Sequence, residues 1–295
     1  MREVLVTGGR GQLGQALQRA HWPDGWRTIA PLRDELDLAD SAALDQFVRS
    51  RQWAAVINAA AYTAVDRAEE EPVEAWRSNA LVPAALAAAC RRANSLLIHL
   101  STDYVFDGSA AGARDVGDTT GPIGVYGASK LGGELAVRSG CPRHVIIRTS
   151  WLVSPYGSNF IRTMLRLGQD RARVGIVADQ HGSPTSANDL AAAIVRIAVG
   201  LDADPAAPAG TYHFSNEGAT DWHEFAAAIF AGSAARGGPS AAVDAISTAD
   251  FPTAARRPAN SLLSSAAITR DWDIRPRPWR DALEDILDEL IGPKQ

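Results

Sequence analysis

The sequence has few of the features that mark disulfide-rich, metal-binding, nucleic-acid-binding or membrane proteins. It contains two cysteines, Cys90 and Cys141, which are too few for a disulfide framework and have no second Cys or His at metal-ligand spacing. No block of Lys or Arg occurs and the formal net charge is -5, so we expect no nucleic-acid partner. No apolar run approaches the roughly 18 residues that cross a bilayer, so we expect no membrane partner.

The composition is otherwise that of an ordinary globular protein. Hydrophobic residues make up 46% and charged residues 21% of the 295 residues, a length that suits one large domain or two smaller ones. The chain passes from Met1 almost directly into an apolar run, without the pattern of a signal peptide. Since so few cysteines are typical of a reduced compartment, we predict a cytoplasmic protein.

Short apolar runs alternate with helical patterns through the first half of the chain. They predict buried strands at residues 4–7, 27–32, 55–58, 95–100 and 144–149. This alternation predicts an α/β fold with a Rossmann-type doubly wound parallel sheet over residues 1–150. After Trp151 the pattern changes. We predict that residues 151–295 form mainly a smaller α+β lobe, with part of residues 175–200 returning to the first domain.

A glycine-rich turn follows the first predicted strand. Gly8, Gly11 and Gly14 lie between that strand and a helical pattern. In such a loop the first glycine permits a tight turn, the second lets the backbone approach a pyrophosphate, and the third lets the helix pack on the strand. The amino terminus of the helix adds free N–H donors. A purely structural turn is the alternative, but the position in an alternating chain favours an NAD(P) site.

The identity of the dinucleotide depends on the residues after the second predicted strand. An acidic residue there would accept the ribose hydroxyls of NADH, but this sequence has Arg33. Arg33 can meet the 2′-phosphate of NADPH or can be a solvated loop arginine, so NADPH and NADH both stay open. Asp37 and Leu38 are better candidates for an adenine contact. The small residues of Ala59–Ala61, after the third strand, would let a cofactor lie close to the backbone.

Three residues are candidates for proton transfer. Tyr126 and Lys130 are four residues apart, so a helix would place both side chains on one face. An ammonium group nearby is expected to lower the pKa of a phenol from its usual value near ~10, which makes proton exchange feasible at neutral pH. Thr102 follows a predicted strand at the edge where open α/β sheets bind ligands. The Tyr–Lys spacing alone is common and becomes meaningful only together with the glycine loop.

Several segments together resemble one family. They are Gly8–Gly14, Asn58–Ala61, Tyr62–Glu69, Ser101–Gly108, Tyr126–Lys130, Arg148–Trp151, Asp179–Thr185 and Arg257–Ser261. The glycine loop, the Asn–Ala segment, the Ser–Thr–Asp segment and the Tyr–Lys pair resemble extended short-chain dehydrogenases/reductases. The longer segments are similar to one branch, the dTDP-4-dehydrorhamnose reductases, which complete dTDP-L-rhamnose synthesis for glycans such as the lipopolysaccharide O-antigen.

The resemblance implies an oxidoreductase. A hydride would pass from NADPH or NADH to the C4 keto group of dTDP-6-deoxy-L-lyxo-4-hexulose, giving dTDP-L-rhamnose, with residues 151–295 mainly binding the sugar nucleotide. Tyr126 would protonate the C4 oxygen, Lys130 would bind the nicotinamide ribose, and Thr102 would hydrogen-bond the reacting oxygen. The implied cofactor contacts are Gly11, Gln12, Leu13, Asp37, Leu38, Ala61, Tyr62, Thr63, Tyr126 and Lys130. Asp103 and Trp151 match sugar-nucleotide contacts, although Trp151 could instead be a core aromatic residue.

The sequence departs from the family pattern in two places. Some members bridge a homodimer through Mg²⁺ with an acidic residue just after the third glycine, but here Gln15 and Ala16 follow Gly14. We therefore predict no metal site, and a homodimer stays open. The loop from Ala110 to Gly121 lacks the Pro–Tyr pair that many extended members carry before the helix of Tyr126. We therefore make no prediction of how this loop covers the site.

Two other functions agree with parts of the sequence. An epimerase or 4,6-dehydratase acting on another nucleotide sugar would share the fold, but a dehydratase requires a pair of carboxyl groups after the threonine, and only Asp103 precedes Tyr104. A non-catalytic nucleotide-binding regulatory subunit would also share it. The presence of Thr102, Tyr126 and Lys130 favours an enzyme, because a binding module does not require a coupled phenol and amine.

Overall fold

A six-stranded parallel sheet forms the centre of the molecule in the computed structural model, which describes residues 1–294. The strands are β1 (Arg2–Thr7), β2 (Trp26–Ile29), β3 (Ala55–Asn58), β4 (Leu97–Thr102), β5 (His144–Thr149), β6 (Leu152–Val153), β7 (Arg173–Val177), β8 (His181–Gly182), β9 (Thr185–Ser186), β10 (Gly210–His213), β11 (Thr220–Asp221) and β12 (Ala242–Ile246). The central sheet has the order β10-β5-β4-β3-β1-β2, with all neighbours parallel. The chain reverses its direction of winding at β1, where doubly wound sheets bind ligands.

Helices cover both faces of this sheet. In chain order, the helices of the whole molecule are α1 (Gln12–Arg19), α2 (Ser41–Arg49), α3 (Val65–Glu70), α4 (Pro72–Trp76), α5 (Val82–Ala93), α6 (Val125–Gly140), α7 (Phe160–Asp170), α8 (Ala187–Ala203), α9 (Trp222–Ala234), α10 (Ala266–Trp272) and α11 (Trp279–Ile291). A π-helical turn at Arg77–Leu81 joins α4 to α5. Local capping sets the start of some helices. At the start of α2, for example, the side chain of Asp40 accepts hydrogen bonds from the backbone N–H groups of Ala42 and Ala43.

The alternation of side chains along the strands builds two hydrophobic layers. Val4 and Val6 of β1 face α1 and α8, whereas Leu5 faces the layer of α2 and α5. All three side chains are fully buried. Strands of a parallel sheet covered on both faces are apolar throughout, which explains why the sequence shows continuous apolar runs rather than alternation. The predicted α/β doubly wound fold is confirmed.

Residues after Trp151 contribute to both parts of the molecule. Helix α8 packs against α1, and β10 pairs with β5 at the edge of the central sheet. The other elements surround a separate core, in which Ile161 of α7, Phe225 of α9 and Leu287 of α11 are buried. Most of helix α8 lies within residues 175–200, part of which we predicted to return to the first domain. The domain boundaries at 1–150 and 151–295 stay a prediction.

Strand β1 begins at Arg2, two residues before the predicted start at residue 4, and two other strands also differ from their predicted positions. Strand β2 ends at Ile29, before the predicted end at residue 32, and β4 runs from Leu97 to Thr102 rather than over residues 95–100. The shift in β4 makes Thr102 the last residue of the strand, paired in register with Thr149 of β5. The main sheet therefore ends with two threonines side by side at its carboxyl edge.

Candidate active site

The glycine loop closes tightly between β1 and α1. Gly8 has a φ of +73°, which favours glycine, and a Cβ there would lie 2.7 Å from the backbone nitrogen of Ala60. A Cβ on Gly14 would lie 2.2 Å from the carbonyl oxygen of Gly8. Gly11 is the N-cap of α1 and provides no side-chain cap. The first N–H groups of α1 are therefore free for an anion, and the tight backbone cradle fits a dinucleotide pyrophosphate.

A cleft of about 360 Å³ opens beside this loop. Five of the predicted cofactor residues line it, namely Gly8, Arg33, Asp37, Leu38 and Ala61. Sequence reasoning missed other lining residues, which come from the loop, the end of β2 and the helical segment around the π turn: Arg10, Pro31, Leu36, Glu74, Arg77 and Ser78. Glu74, Arg77 and Ser78 come from α4 and the π turn, which are remote in sequence from the glycine loop. No local sequence pattern therefore marks them as cleft residues. The cleft provides polar and apolar walls suited to an adenosine.

The remaining predicted cofactor residues have other contacts. The side chain of Gln12 donates to the carbonyl of Leu152 at 3.2 Å and accepts from Ser154 and Asn159, so it ties the glycine loop to the following lobe. Leu13 is buried in the core. For both residues the backbone N–H, rather than the side chain, is the group that remains for a phosphate.

The segment after β3 is fixed by its own hydrogen bonds. Tyr62 donates its hydroxyl to Glu71 at 2.6 Å, while Thr63 is exposed. The backbone N–H and carbonyl of Tyr62 are both held by the side chain of Asn79, at 2.9 and 3.0 Å. The backbone beside the cleft is therefore held in one conformation before any ligand arrives.

Thr102, Tyr126 and Lys130 converge at the carboxyl end of β4. Helix α6 carries Tyr126 and Lys130 one turn apart, and the Lys130 Nζ donates to the carbonyl of Leu100 at 2.5 Å. The hydroxyl of Thr102, a residue 5% exposed, donates to the adjacent Asp103 carboxylate at 2.9 Å. The Tyr126 ring lies edge-on to Tyr104, with 5.5 Å between centroids. This arrangement can hold an oxygen atom between the hydroxyls of Tyr126 and Thr102 once the Thr102 hydrogen turns from Asp103 to that oxygen.

The pKa of Tyr126 differs in direction from the sequence-based expectation. Burial raises the pKa of Tyr126 to about 12, the Thr102 hydroxyl lowers it less, and the Asp103 charge adds to the rise. The predicted net lowering of the Tyr126 pKa is therefore wrong for this structure, because desolvation of the phenolate outweighs it. Burial lowers the pKa of Lys130 to about 8, and Glu134 opposes that shift. Tyr126 is thus protonated at neutral pH, as a proton donor requires.

Asp103 is a buried carboxyl group beside the three residues. It is 4% exposed, and its Oδ2 has no hydrogen-bond partner within residues 1–294. Burial raises the pKa of Asp103 to about 6, with hydroxyls of Ser261 and Thr102 acting in the opposite direction. A buried polar atom without a partner requires an explanation, and a ligand hydroxyl would supply one.

The substitution Asp103→Asn is expected to stabilise the fold at neutral pH. The folded-state pKa of about 6 lies above the usual 3.8, so wild-type stability falls as the pH rises through this window. Asn cannot ionise but can still accept from Thr102, so the variant should gain about 3 kcal/mol at pH 7.5 and about 1 kcal/mol at pH 4.5. Urea unfolding at both pH values measures this, and an equal difference at both would contradict it.

Two residues near Lys130 were missed by sequence reasoning. Asn79 lies in the π turn and donates to Ser129 Oγ at 3.0 Å, so it joins α6 to the segment beside the cleft. Glu134, one turn beyond Lys130, is fully buried and accepts from Ser101 at 2.6 Å. A buried glutamate and a π turn are tertiary features, and the sequence carries no local signal for either. Together they fix the rotation of α6.

Trp151 lies at the junction with the following lobe. Its ring stacks on Trp222 with 3.6 Å between centroids, and a Cβ on Gly182 would lie 2.5 Å from the Trp151 ring. The backbone at Trp151 has a φ of +47°, which is uncommon for a bulky residue. One face of the ring is therefore covered by protein, as in the core interpretation, and its contact with a sugar nucleotide stays a prediction.

The substitution Trp151→Ala tests the two interpretations. A substrate contact predicts a rise of about tenfold in KM for the sugar nucleotide with unchanged cofactor affinity, since the cofactor cleft lies elsewhere. Trp151→Phe, which keeps an aromatic ring against Trp222, serves as the control and should lie between wild type and Ala. Equal loss of substrate and cofactor affinity, with a lower Tm, would support a purely packing role.

Three further observations concern metals, membranes and the cysteines. No three His, Cys, Asp or Glu side chains within residues 1–294 are grouped as a metal site. Over the same residues, none of the helices has both the length and the apolar character needed to cross a bilayer. Cys90 and Cys141 are buried and unbridged.

Comparison with known proteins identifies the family. The family described as RmlD substrate binding domain matches residues 1–291. The dTDP-4-dehydrorhamnose reductase of Aggregatibacter actinomycetemcomitans is 40% identical over 289 residues, which cover 97% of this chain and 98% of that relative. The chain belongs to the dTDP-4-dehydrorhamnose reductase family.

Other members of the dTDP-4-dehydrorhamnose reductase family give the same result. The enzyme of Burkholderia thailandensis is 42% identical over 300 residues and covers 98% of this chain and 99% of its own. The crystal structure of the Bacillus anthracis reductase, in complex with NADP, has a TM-score of 0.91 at 36% identity and covers 98% of this chain and 100% of its own. The predicted family and the predicted enzyme class, an oxidoreductase, are confirmed.

Proposed function

We propose that the chain reduces the C4 keto group of dTDP-6-deoxy-L-lyxo-4-hexulose to dTDP-L-rhamnose with NADPH or NADH. The observation that carries this proposal is the position of Thr102, Tyr126 and Lys130 at the same edge of the sheet as the glycine loop and its cleft. The full-length similarity to reductases of this name, one of them solved with NADP, supports the choice of substrate and cofactor.

We propose a separate role for each of the three residues. The reduced nicotinamide, when bound, supplies the hydride to C4. Tyr126 donates its phenolic proton to the C4 oxygen as negative charge develops there, and its raised pKa keeps that proton available at neutral pH. Thr102 hydrogen-bonds the same oxygen. Lys130, held against Leu100, places a positive charge near the phenolate that forms and provides a donor for the nicotinamide ribose.

The predicted contact residues divide between the parts of the cofactor and the sugar nucleotide. Gln12 and Leu13 present backbone N–H groups to the pyrophosphate, while Asp37 and Leu38 contact the adenine. The N–H of Gly11 donates to the Gly8 carbonyl at 2.9 Å, so Gly11 contributes by letting the pyrophosphate approach the backbone. Asp103, with its unpartnered Oδ2, accepts from a hydroxyl of the sugar nucleotide. Ala61 and the backbone of Tyr62 and Thr63 form the floor.

Arg33 decides the preference between NADPH and NADH. It is exposed at the cleft and makes no ion pair within residues 1–294, so its guanidinium is free for a 2′-phosphate. The substitution Arg33→Ala is expected to weaken NADPH binding ~10-fold, the worth of one charge-assisted hydrogen bond, and to leave NADH within about twofold. Titration of cofactor fluorescence measures both. Arg49→Ala, outside the cleft, is the control, and equal weakening of both cofactors would refute the role.

Absorbance at 340 nm tests the reaction. With NADPH or NADH and dTDP-6-deoxy-L-lyxo-4-hexulose, the proposal expects one cofactor oxidised for each dTDP-L-rhamnose formed. Conversion of dTDP-glucose or UDP-glucose without net oxidation would indicate a dehydratase or an epimerase instead. Cofactor binding without turnover of any of these sugars would indicate a regulatory subunit. The single carboxyl after Thr102 and the buried Lys130 favour the reductase.

The setting of the enzyme is part of the proposal. Two unbridged cysteines agree with a reduced, cytoplasmic location. The proposal leaves the oligomeric state undecided. It includes no metal-bridged homodimer, because neither Gln15 nor Ala16 has a carboxylate to bind the metal. The product, an activated L-rhamnose, suits a glycosyl transfer step in glycan synthesis such as that of the O-antigen.

A further inference from the structure

A buried chain of polar side chains joins helix α6 to the loop of residues 107–122. Glu134 of α6 and Arg148 of β5 form a two-armed ion pair, with both N–O distances 2.8 Å, and are 0% and 2% exposed. Arg148 Nη1 lies 3.3 Å from Nε2 of His213, which is also fully buried. His213 Nδ1 lies 3.0 Å from the carbonyl oxygen of Arg114, in the middle of the loop.

The chain of contacts fixes the tautomer of His213. An arginine nitrogen can only donate, so Nε2 must accept and Nδ1 must carry the proton that it donates to the Arg114 carbonyl. Burial and the charge of Arg148 lower the pKa of His213 to about 4, so the ring is neutral in this arrangement at physiological pH. The sheet provides the geometry, because His213 and Arg148 are register partners in adjacent parallel strands.

The loop holds two parts of the active site together. It begins just after the segment that carries Thr102 and Asp103 and ends just before α6, which carries Tyr126. Arg114 also pairs with the segment 262–264: its N–H donates to the carbonyl of Leu262 at 2.9 Å, and its carbonyl accepts from Ser264 at 2.8 Å. The neighbouring Ser261 hydroxyl lies beside the Asp103 carboxyl.

An aromatic contact strengthens the same junction. The Phe106 ring has the guanidinium carbons of Arg148 and Arg114 at 5.0 and 5.6 Å from its centroid. His213 meets the same ring edge-on, with 5.7 Å between centroids. Arg114 also pairs with Asp107 at 2.9 Å. The loop is thus held to α6 and the sheet at one buried point.

We propose that His213 is a positioning residue for the sugar nucleotide, because its bond to Arg114 holds the loop 107–122 and the segment 260–264 over Asp103 and Tyr126. This inference rests on the proposed function for its substrate. Residues of this network are absent from the lining of the cofactor cleft. Losing the loop contact should therefore affect the sugar nucleotide and not the dinucleotide.

Two variants separate the two contacts of His213. The amide nitrogen of His213→Asn replaces Nδ1, so it keeps the bond to the loop and loses the contact with Arg148. The amide of His213→Gln reaches the position of Nε2, so it keeps Arg148 paired and loses the bond to the loop. The proposal expects His213→Gln to raise KM for the sugar nucleotide ~10- to 100-fold with unchanged NADPH affinity, and His213→Asn to stay near wild type.

Hydrogen exchange provides a readout that does not require turnover. Amides of residues 107–122 and 260–264 should exchange faster in His213→Gln than in wild type and His213→Asn. The reverse order, with Asn impaired and Gln like wild type, would show that His213 serves only to pair Arg148 and would overturn the proposal. If wild type fails to oxidise NADPH with the sugar, the proposed function fails, and exchange together with the affinity for the dTDP-sugar still decides the role of His213.

Discussion

The substitution Tyr126→Phe is expected to lower kcat ~10²- to 10⁴-fold, the range that a general acid contributes. The Phe ring fills the same space against Tyr104 but has no proton to donate to the C4 oxygen. Cofactor affinity should stay within about twofold, because the adenosine cleft does not include this side chain. Steady-state oxidation at 340 nm and cofactor titration measure the two quantities.

Tyr104→Phe is the matched control for this prediction. Tyr104 is a second partly buried tyrosine of the same ring pair, and burial raises its pKa as well. We assign its hydroxyl no part in proton transfer, so this variant should keep kcat within a few fold. Similar kcat values for wild type and Tyr126→Phe, or a loss confined to Tyr104→Phe, would remove Tyr126 from the role of proton donor.

The substitution Gly14→Ala is expected to lower both stability and cofactor affinity, although it adds only one methyl group. Its Cβ would lie 2.2 Å from the Gly8 carbonyl oxygen and 2.7 Å from the Gly9 Cα, both backbone atoms. The loop must shift to accept it, at a cost of about 1–3 kcal/mol in the free energy of unfolding. Since the moved backbone carries the pyrophosphate donors, NADPH affinity should fall at least ~10-fold.

Gly117→Ala is the control for the added methyl group. A Cβ on Gly117 would meet no atom within 4 Å, so its stability and cofactor affinity should equal those of wild type. Urea unfolding and cofactor titration compare the two variants. Gly14→Ala with wild-type stability and affinity would show that the loop is not the tight cradle described here.

Features encoded by neighbouring residues were predictable from the sequence. The strands at Ala55–Asn58 and His144–Thr149 are short runs with an apolar centre, and their ends agree with the prediction. The glycine loop and the Tyr126–Lys130 spacing are also local, since each needs only a few consecutive residues to define its geometry. The fold class follows from the order of such elements.

Features that depend on distant packing were not predictable. Strand β12 pairs with β7, which lies far back in the chain, and the side chain of Gln12 reaches Ser154 and Asn159 of the other lobe. The rise in the Tyr126 pKa results from burial, which no local pattern reports. The contact of His213 with Arg148 likewise requires the edge strand β10 beside β5. Periodicity identifies elements but not which side chains meet.

The most direct test of the reductase proposal follows the hydride itself. Wild-type protein is incubated with NADPH deuterated at C4 of the nicotinamide, on each face in turn, and with dTDP-6-deoxy-L-lyxo-4-hexulose. The account predicts a single deuterium at C4 of dTDP-L-rhamnose from one of the two labelled faces, detected by mass spectrometry and proton NMR. Product without deuterium from either face, or no product while the cofactor binds tightly, would contradict it.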